Sequence, residues 1–297
     1  MRILLLGADG FLGRHAAAAL RDLPGATVLT GGRRPSHDLA VDLATAAPGA
    51  LADRLGQLSV DVVVNFAGAV SGSAVTLSEV NARGPAVLCE ALREGAPQAR
   101  LVHIGSAGEY GVCDPGSSLA EDAQARPVGV YGATKLAGSL AVAGSALDAV
   151  VLRVFNPVGP GSPAGSLPGR LAAELRRAAP GGVVEVGDLS AYRDFVDARD
   201  IARAVALTVR ADRPLPRVLN LAGGQAQQVR AIADGLVAAA AFDGRIDESG
   251  AGSERSAAVS WQQADISLAA QELGWKPEIT LGDTLRDLWL STEPAAA

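Results

Sequence analysis

The stretch that decides the fold is Arg2-Ile3-Leu4-Leu5-Leu6-Gly7-Ala8-Asp9-Gly10-Phe11-Leu12-Gly13, near the start of the chain. It joins a short apolar run to a glycine cluster, and an Ala- and Leu-rich segment of helical period follows. Glycines at this spacing allow a tight turn, a close approach of backbone N–H groups to a pyrophosphate, and close packing of a helix on a strand. The stretch predicts a strand, a dinucleotide-binding turn and a helix, with a merely tight turn as the alternative. No Gly-Lys-Ser/Thr sequence follows, which disfavours a phosphate loop for nucleotide hydrolysis.

The same pattern repeats along the first half of the chain. Runs typical of buried strands alternate with helical segments, and because the runs are apolar throughout, both faces of the sheet must be covered. This β-α-β alternation predicts an α/β fold, a Rossmann-type doubly wound parallel sheet. The predicted strands cover residues 2–6, 26–30, 60–66, 100–104 and 149–155, and the predicted helices cover 11–20, 50–57, 76–93 and 128–146.

The rhythm changes in a Pro- and Gly-rich stretch over residues 156–169. Shorter elements follow, including a predicted helix over 198–209, a strand over 217–221 and a helix over 264–273. We expect a dinucleotide-binding domain of residues 1–155, to which 198–222 return. A smaller C-terminal substrate-binding lobe, made of 156–197 and 223–297, is expected to close over the carboxyl edge of the sheet.

Composition excludes several classes of protein. The 297 residues are 48% hydrophobic and 20% charged with a net charge of -6, so no basic stripe for nucleic acid is present. Two cysteines, Cys89 and Cys113, exclude a disulfide scaffold, and three scattered histidines disfavour a metal centre. No apolar run approaches the roughly 20 residues that span a bilayer. We expect a cytoplasmic protein with no metal and no nucleic-acid or membrane partner.

The residues after the second predicted strand indicate which dinucleotide binds. An NAD-binding protein carries an acidic residue about 20 residues past the glycines to hold the ribose 2′-hydroxyl, and this chain has none there. Instead Arg33 and Arg34 follow Gly31, and Arg14 follows the last glycine of the turn; guanidinium groups suit a 2′-phosphate. We expect NADP(H), with a solvated arginine pair as the alternative. Asp42 either holds the adenine amine or caps the following helix.

Tyr131 and Lys135 are four residues apart in the fourth predicted helix, so they lie on one face, one turn apart. A nearby ammonium lowers the pKa of a phenol toward neutral pH, where a tyrosine exchanges a proton with a carbonyl or alcohol oxygen. Alone, this spacing is more typical of a packed ring beside a lysine whose stem is buried. Ser106 reverses that preference, because it ends the preceding strand where open α/β sheets bind ligands and can donate to the same oxygen.

Several further motifs occur in a fixed order along the chain. They are Asp-Val-Val-Val-Asn-Phe-Ala-Gly at 61–68, Glu-Val-Asn-Ala-Arg-Gly at 79–84, Arg-Val-Phe-Asn-Pro-Val-Gly-Pro-Gly at 153–161, Arg-Asp-Phe-Val-Asp at 193–197 and Leu-Gly-Trp-Lys-Pro at 273–277. With the glycine turn and the Tyr131/Lys135 pair, they make nearly the whole chain resemble the extended short-chain dehydrogenase/reductase family. That family includes nucleotide-sugar epimerases, dehydratases and 4-ketoreductases.

The resemblance implies a role for each matching residue. The implied catalytic set is Asn81, Ser106, Tyr131 and Lys135, although Asn81 as a locally bonded helix residue is the alternative. The implied cofactor contacts are Gly7, Asp9, Gly10, Phe11, Leu12, Gly13, Arg14, Gly31, Arg33, Arg34, Asp42, Leu43, Phe66, Ala67, Gly68, Tyr131, Lys135, Phe155, Pro157 and Val158. The implied substrate contacts are Ser106, Ala107, Tyr131, Asn156, Arg193 and Arg255. Arg193 and Arg255 would meet a diphosphate, and a surface salt bridge is the alternative for Arg193. The resemblance also implies a homodimer formed through the helices over 76–93 and 128–146.

The residues after Ser106 discriminate among the reactions of the family. Its dehydratases carry Asp-Glu there, whereas this chain has Ala107 and Gly108, which move no proton. Epimerases usually keep NAD bound, whereas a 2′-phosphate site implies a cofactor that exchanges. The expected activity is therefore NADPH-dependent reduction of a ketone, with the 4-keto group of a nucleotide-linked 4-keto-6-deoxysugar as the expected target. Pro157 departs from the reductase motif. The alternatives are an epimerase with bound NAD, a ketoreductase acting on a natural-product aglycone, and a non-catalytic NADP sensor.

Overall fold

A computed structural model describes residues 1–250 and 259–292, and its centre is a seven-stranded parallel sheet. The strands are β1 Arg2–Leu6, β2 Thr27–Gly32, β3 Leu39–Ala40, β4 Val62–Asn65, β5 Arg100–Ser106, β6 Ala149–Val154, β7 Pro157–Val158, β8 Val183–Glu185, β9 Tyr192–Asp194, β10 Val196–Asp197, β11 Val218–Leu221, β12 Ala226–Gln228 and β13 Arg245–Asp247. The helices are α1 Phe11–Arg21, α2 Pro48–Leu58, α3 Ala74–Ser78, α4 Gly84–Gly95, α5 Val130–Ala143, α6 Leu167–Arg177, α7 Ala198–Arg210, α8 Arg230–Ala240, α9 Ser267–Leu273 and α10 Leu281–Ser291.

The sheet has the strand order β11-β6-β5-β4-β1-β2-β3, which confirms the predicted α/β fold. The chain runs from β1 toward β3 in one direction and from β4 toward β6 in the other. The order therefore reverses between β1 and β4, the position at which open parallel sheets bind their ligands beyond the carboxyl ends of the strands. The two-residue strand β3 forms one edge and β11 forms the other.

Alternate residues of each strand enter the apolar layers on the two faces of the sheet. Ile3 and Leu5 pack with α1 and α7, whereas Leu4 and Leu6 pack with α2 and α4. Because both faces of the sheet are buried, consecutive residues of strands such as β1 are apolar and do not alternate with polar ones. Outside the sheet, α6, α8 and α10 share a separate apolar cluster, and β7–β10, β9–β12 and β8–β13 form three two-stranded sheets.

The predicted helix over 76–93 is wrong in one respect, because a π-helical turn, Glu79–Arg83, separates α3 from α4. Pro85 lacks the N–H that would bond to the carbonyl of Asn81. That carbonyl faces α5 at Gly138 instead, where an added Cβ would lie 2.1 Å from it. The loss of one helical bond and the close approach of α5 account for the interruption.

The predicted helix over 264–273 also begins later, at Ser267. Ala264 is tied to Asp194 by its N–H, which donates to Oδ2 at 3.0 Å, and Asp265 accepts from the Ser267 N–H at 2.8 Å. The first residues of the predicted helix are thus held by other partners. No helix in the described ranges is both long enough and apolar enough to cross a membrane.

Candidate active site

The glycine turn after β1 leaves no room for a side chain at Gly7 or Gly13. Gly7 has φ +80°, and a Cβ there would lie 2.9 Å from Ala67 N. A Cβ at Gly13 would lie 2.0 Å from the carbonyl oxygen of Gly7. Gly10 caps α1 without a side-chain hydrogen bond, so the helix N-terminus keeps its capacity for an anion. The turn fits a dinucleotide pyrophosphate, as the spacing predicts.

Beside the glycine turn, one carboxylate lies among several basic groups. Oδ2 of Asp9 lies 3.0 Å from His37 Nε2 and 3.4 Å from Arg34 Nη1. Arg14 donates from Nη1 to the carbonyl oxygen of Asp9 at 3.2 Å. The cluster places two of the predicted arginines beside the glycine turn, and Arg33 is exposed next to them.

Sequence reasoning missed His37, which lies against Gly32 at the end of β2. A Cβ at Gly32 would come within 3.0 Å of His37 Nε2, so the glycine makes room for the imidazole. A Gly-Gly pair at a strand end followed by a nearby histidine was the available signal. The structure therefore adds an ionisable group to the predicted phosphate site.

Asp42 caps a turn, and not the helix that the alternative prediction proposed. Its Oδ1 accepts from the Ala44 N–H at 3.0 Å, whereas α2 begins after Ala47. The neighbouring Leu43 is buried. Arg83 holds the same loop by donating to the carbonyl oxygens of Leu43 and Ala44, at 3.2 and 2.8 Å.

The predicted reacting hydroxyls meet at the carboxyl end of β5. The Tyr131 hydroxyl donates to Ser106 Oγ at 3.4 Å. Ser106 begins the 3-10 turn Ala107–Glu109 and accepts from the Gly108 N–H at 3.1 Å. A Cβ at Gly108 would lie 3.5 Å from the Tyr131 ring, so the ring packs directly on this turn. The two hydroxyls can therefore hold one substrate oxygen between them.

Lys135 lies one turn further along α5 with its side chain buried. Nζ donates to the carbonyl oxygen of Ile104 at 2.6 Å. Burial lowers the pKa of Lys135 to about 8, and the charge of Glu109 opposes that decrease. The lysine ammonium is thus held at the carbonyl of Ile104, two residues before Ser106 on β5, in an environment that disfavours its charge.

Asn81 lies in the π-helical turn and joins it to the loop after β4. Its Oδ1 accepts from the Ala69 N–H at 2.9 Å, and its Nδ2 donates to the Ala69 carbonyl at 2.8 Å. Nδ2 also lies 3.4 Å from Thr134 Oγ1 on α5. The Asn81 amide therefore fixes the loop that contains Ala67 and Gly68, and Phe66 starts this loop by donating from its N–H to the Leu6 carbonyl.

On the substrate side, Asn156 has φ +27° and an amide that joins two segments. Its Nδ2 donates to the Asp194 carbonyl and to Gln262 Oε1, both at 3.0 Å. Gln262, which sequence reasoning missed, donates in turn to the Ala107 carbonyl at 3.2 Å. The turn after Ser106 is thereby tied to the C-terminal part of the chain.

The remaining predicted contacts occupy different environments. Phe155 is fully buried against Tyr110, with ring centroids 5.9 Å apart, and Val158 is buried in the cluster of α6, α8 and α10. Pro157 is half-buried. Arg193 donates from Nη2 to the Val259 carbonyl at 2.7 Å. Arg255 lies outside the described residues.

Comparison with known proteins decides the family. The sequence model of the NAD dependent epimerase/dehydratase family matches residues 3–222. The chain belongs to this family. Membership confirms the predicted extended short-chain dehydrogenase/reductase and, with it, a dinucleotide-dependent enzyme of the nucleotide-sugar class.

Relatives of this epimerase/dehydratase family member cover almost its full length. It is 37% identical to a dTDP-6-deoxy-L-talose 4-dehydrogenase (NAD(P)(+)) of Kitasatospora kifunensis, over 99% of the chain and 97% of that protein. It is 28% identical to a GDP-6-deoxy-D-mannose reductase of Pseudomonas aeruginosa, over 96% of the chain and 95% of that protein. Among solved structures, MoeE5 in complex with UDP-glucuronic acid and NAD superposes with a TM-score of 0.82 at 27% identity, over 98% of each chain.

Proposed function

We propose that this enzyme is an NADPH-dependent ketoreductase that reduces the 4-keto group of a nucleotide-linked 4-keto-6-deoxysugar. The observation that carries the proposal is the approach of the Tyr131 hydroxyl to Ser106 Oγ, next to Ala107 and Gly108, which carry no acid or base. The third residue of that turn, Glu109, is buried, and both oxygens of its carboxylate accept hydrogen bonds from protein donors. Such a site moves one proton to or from one oxygen and lacks the extra groups that elimination of water requires. The name of the 4-dehydrogenase relative supports reaction at carbon 4 of a 6-deoxysugar.

The residues of the site have separable tasks. When bound, the reduced nicotinamide supplies the hydride. The Ser106 and Tyr131 hydroxyls hold the ketone oxygen, and Tyr131 gives its proton to that oxygen as the alcohol forms. The Lys135 ammonium, which comes from the same helix one turn further along, stabilises the phenolate left after the transfer. Asn81 fixes the loop after β4 against α5.

The choice of NADPH rests on the basic groups around Asp9. Arg34 and His37 both contact its carboxylate, and Arg14 and Arg33 are exposed nearby. A 2′-phosphate would find up to four basic groups there, and guanidinium forks match its geometry. The carboxylate itself suits ribose hydroxyls, so the same pocket has a feature that favours NAD.

This carboxylate favours a second candidate, an epimerase that keeps NAD bound and returns the hydride to the same sugar. The MoeE5 relative, whose structure contains NAD and UDP-glucuronic acid, supports that reading of the pocket. An epimerase interconverts two alcohols without net oxidation of cofactor, and a reductase consumes reduced cofactor in proportion to product. The two candidates therefore differ in a quantity that can be measured directly.

The deciding experiment incubates the purified protein with dTDP- and GDP-linked 4-keto-6-deoxyhexoses and either NADPH or NADH. We expect loss of reduced-nicotinamide absorbance, equimolar alcohol product, and a higher kcat/KM with NADPH. Interconversion of 4-hydroxy sugars by protein that carries bound NAD, with no net absorbance change, would establish the epimerase instead. Product configuration at carbon 4 is read by NMR in either case.

A further inference from the structure

Glu109 is buried directly behind the hydroxyls of the active site. Its Oε1 accepts hydrogen bonds from the Ser106 N–H at 2.7 Å and from Ser139 Oγ at 2.8 Å. Its Oε2 accepts from Arg153 Nε at 2.8 Å. A shielded carboxylate that receives donors on both oxygens, one of them charged, is held in a single position.

The neighbours of Glu109 are fitted to this carboxylate. A Cβ at Gly105 would lie 2.8 Å from Oε1, so the strand needs a glycine at this position. Arg153 Cζ lies 4.4 Å from the centroid of the Tyr110 ring, and the Tyr110 hydroxyl donates to Asn220 Oδ1 at 2.8 Å. The network therefore extends from Ser106 through Glu109, Arg153 on β6 and Tyr110 to Asn220 on β11.

Glu109 also acts on Lys135 through its charge. Burial lowers the pKa of Lys135 to about 8, and the negative charge of Glu109 raises it. Burial lowers the pKa of His103 on β5, and the charge of Lys135 lowers it further, so the imidazole is neutral. Burial raises the pKa of the Cys89 thiol on α4 to about 11, which leaves it neutral too. The other ionisable groups on α5 and the elements packed against it are Tyr131, Arg153, Arg100, which pairs with Asp148, and the exposed Glu79, Arg83, Glu90, Arg93 and Glu94.

We propose that Glu109 is a positioning residue of this active site, which fixes Ser106 against Tyr131 and supplies the buried negative charge opposite the Lys135 ammonium. It acts through these two residues and not on the substrate. This inference rests on the proposed reduction, in which Lys135 must carry its charge while Tyr131 gives up a proton. Neither the glycine turn nor the Tyr131/Lys135 spacing predicts this role of Glu109, because its ion-pair partner, Arg153, is 44 residues away in the sequence.

The lysine content of the chain allows a test that needs no substrate. The sequence contains two lysines, buried Lys135 and exposed Lys276. An isotope label at lysine Cε therefore gives two NMR signals, which a Lys276→Arg variant assigns. The pH titration of the Lys135 signal in the whole protein measures the effect of Glu109 whether or not the sugar has been identified.

Glu109→Gln keeps the shape of the side chain and removes its charge. We expect the Lys135 titration midpoint to move at least one pH unit lower, a tenfold change in the acid dissociation constant. In the sugar assay, we expect kcat to fall about tenfold or more at neutral pH while KM changes little, because the interaction lost matters most in the transition state. A folded variant with the wild-type midpoint and the wild-type kcat overturns the proposal.

Two controls isolate the charge from general loss of stability. Ser139→Ala removes a hydrogen bond to Oε1 but keeps the carboxylate, and its Lys135 midpoint should match wild type. Asp200→Asn removes a different buried carboxylate, which pairs with Arg203 at 2.8 Å on the other face of the sheet. That variant should lose stability without moving the Lys135 signal. If it moves the signal as far as Glu109→Gln does, the proposal fails.

Glu109→Gln leaves Arg153 buried without its partner, which destabilises folded proteins. Should that variant not fold, the double variant Glu109→Gln with Arg153→Met removes both charges, and the same lower midpoint is expected. A shifted midpoint without turnover of any sugar on the panel supports the role of Glu109 and counts against the proposed substrate. If the folded variant turns over a sugar and its Lys135 midpoint is unshifted, the role proposed for Glu109 is wrong and the proposed function stands.

Discussion

His37 Nε2 lies 3.0 Å from Asp9 Oδ2, so the residue after β2 that sequence reasoning missed is bonded to the acid of the glycine turn. Arg34 contacts the same carboxylate oxygen. If these residues form the proposed 2′-phosphate site, a balance between one negative and several basic side chains sets the preference between the two dinucleotides. Removing a basic side chain and removing the carboxylate should therefore change the ratio of kcat/KM for NADPH to that for NADH in opposite directions.

Arg34→Ala should lower kcat/KM for NADPH by roughly tenfold or more and leave that for NADH nearly unchanged, because only the phosphorylated cofactor needs the guanidinium. Asp9→Asn should change the ratio in favour of NADPH, since it removes a negative charge beside the phosphate. Initial rates with both cofactors give the two ratios. Arg93→Ala, at an exposed arginine that pairs with Glu94, is the matched control. Equal losses with both cofactors would place Arg34 outside the phosphate site.

Tyr131→Phe should reduce turnover at least about a hundredfold while NADPH binding is retained, because the proton donor is removed and the ring remains. Single-turnover rates measure the loss of turnover, and a fluorescence titration with NADPH measures the retained binding. Tyr192→Phe, on β9 with its side chain 39% exposed, should keep wild-type turnover. Wild-type rates in Tyr131→Phe would refute the assigned role.

Gly13→Ala should abolish dinucleotide binding, since its Cβ would lie 2.0 Å from the Gly7 carbonyl oxygen and force the turn open. The same substitution at Gly49 in α2 meets nothing within 4 Å. Gly49→Ala should therefore be neutral or stabilise by about 0.5–1 kcal/mol. Cofactor titration and thermal unfolding compare the two variants. Normal binding by folded Gly13→Ala would contradict the geometry of the turn.

The buried carboxyl of Asp194 should make the free energy of unfolding depend on pH. Burial raises the pKa of Asp194 in the folded protein to about 6, so the folded state holds this proton more tightly than the unfolded state. The contribution to stability is complete below about pH 4 and is lost as the pH rises through about 6, to a total on the order of 3 kcal/mol. Urea unfolding across this range should show the decline, and Asp194→Asn should flatten it. A wild-type slope in the variant would assign the titration to another group.

The strands and most helices were predictable because their signals are local. Two-sided burial makes β1 apolar throughout, and the glycine turn after it is contiguous in sequence. The proximity of Ser106 and Tyr131 was also predictable, since each follows from its position relative to one strand or helix. The π-helical turn was not found, because the carbonyl of Asn81 depends on Gly138, which is distant in sequence.

The residues that hold the candidate site in place were harder to predict from the sequence than the site residues themselves. The ion pair of Glu109 with Arg153 and the amide pair of Asn156 with Gln262 join segments 44 and 106 residues apart. No periodicity or spacing rule connects such residues, and each is an ordinary polar residue when it is read alone. Burial, which decides that they must find partners, becomes visible only in three dimensions.

The two margins of the central sheet differ in how they resist growth by a further strand. β3 is two residues long and presents few backbone groups for pairing. At the opposite margin, the Asn220 N–H of β11 is already taken by Glu121 Oε1 at 2.8 Å. A strand from a neighbouring molecule would find a very short partner at one margin and an occupied backbone donor at the other, and both features disfavour edge-to-edge polymerisation.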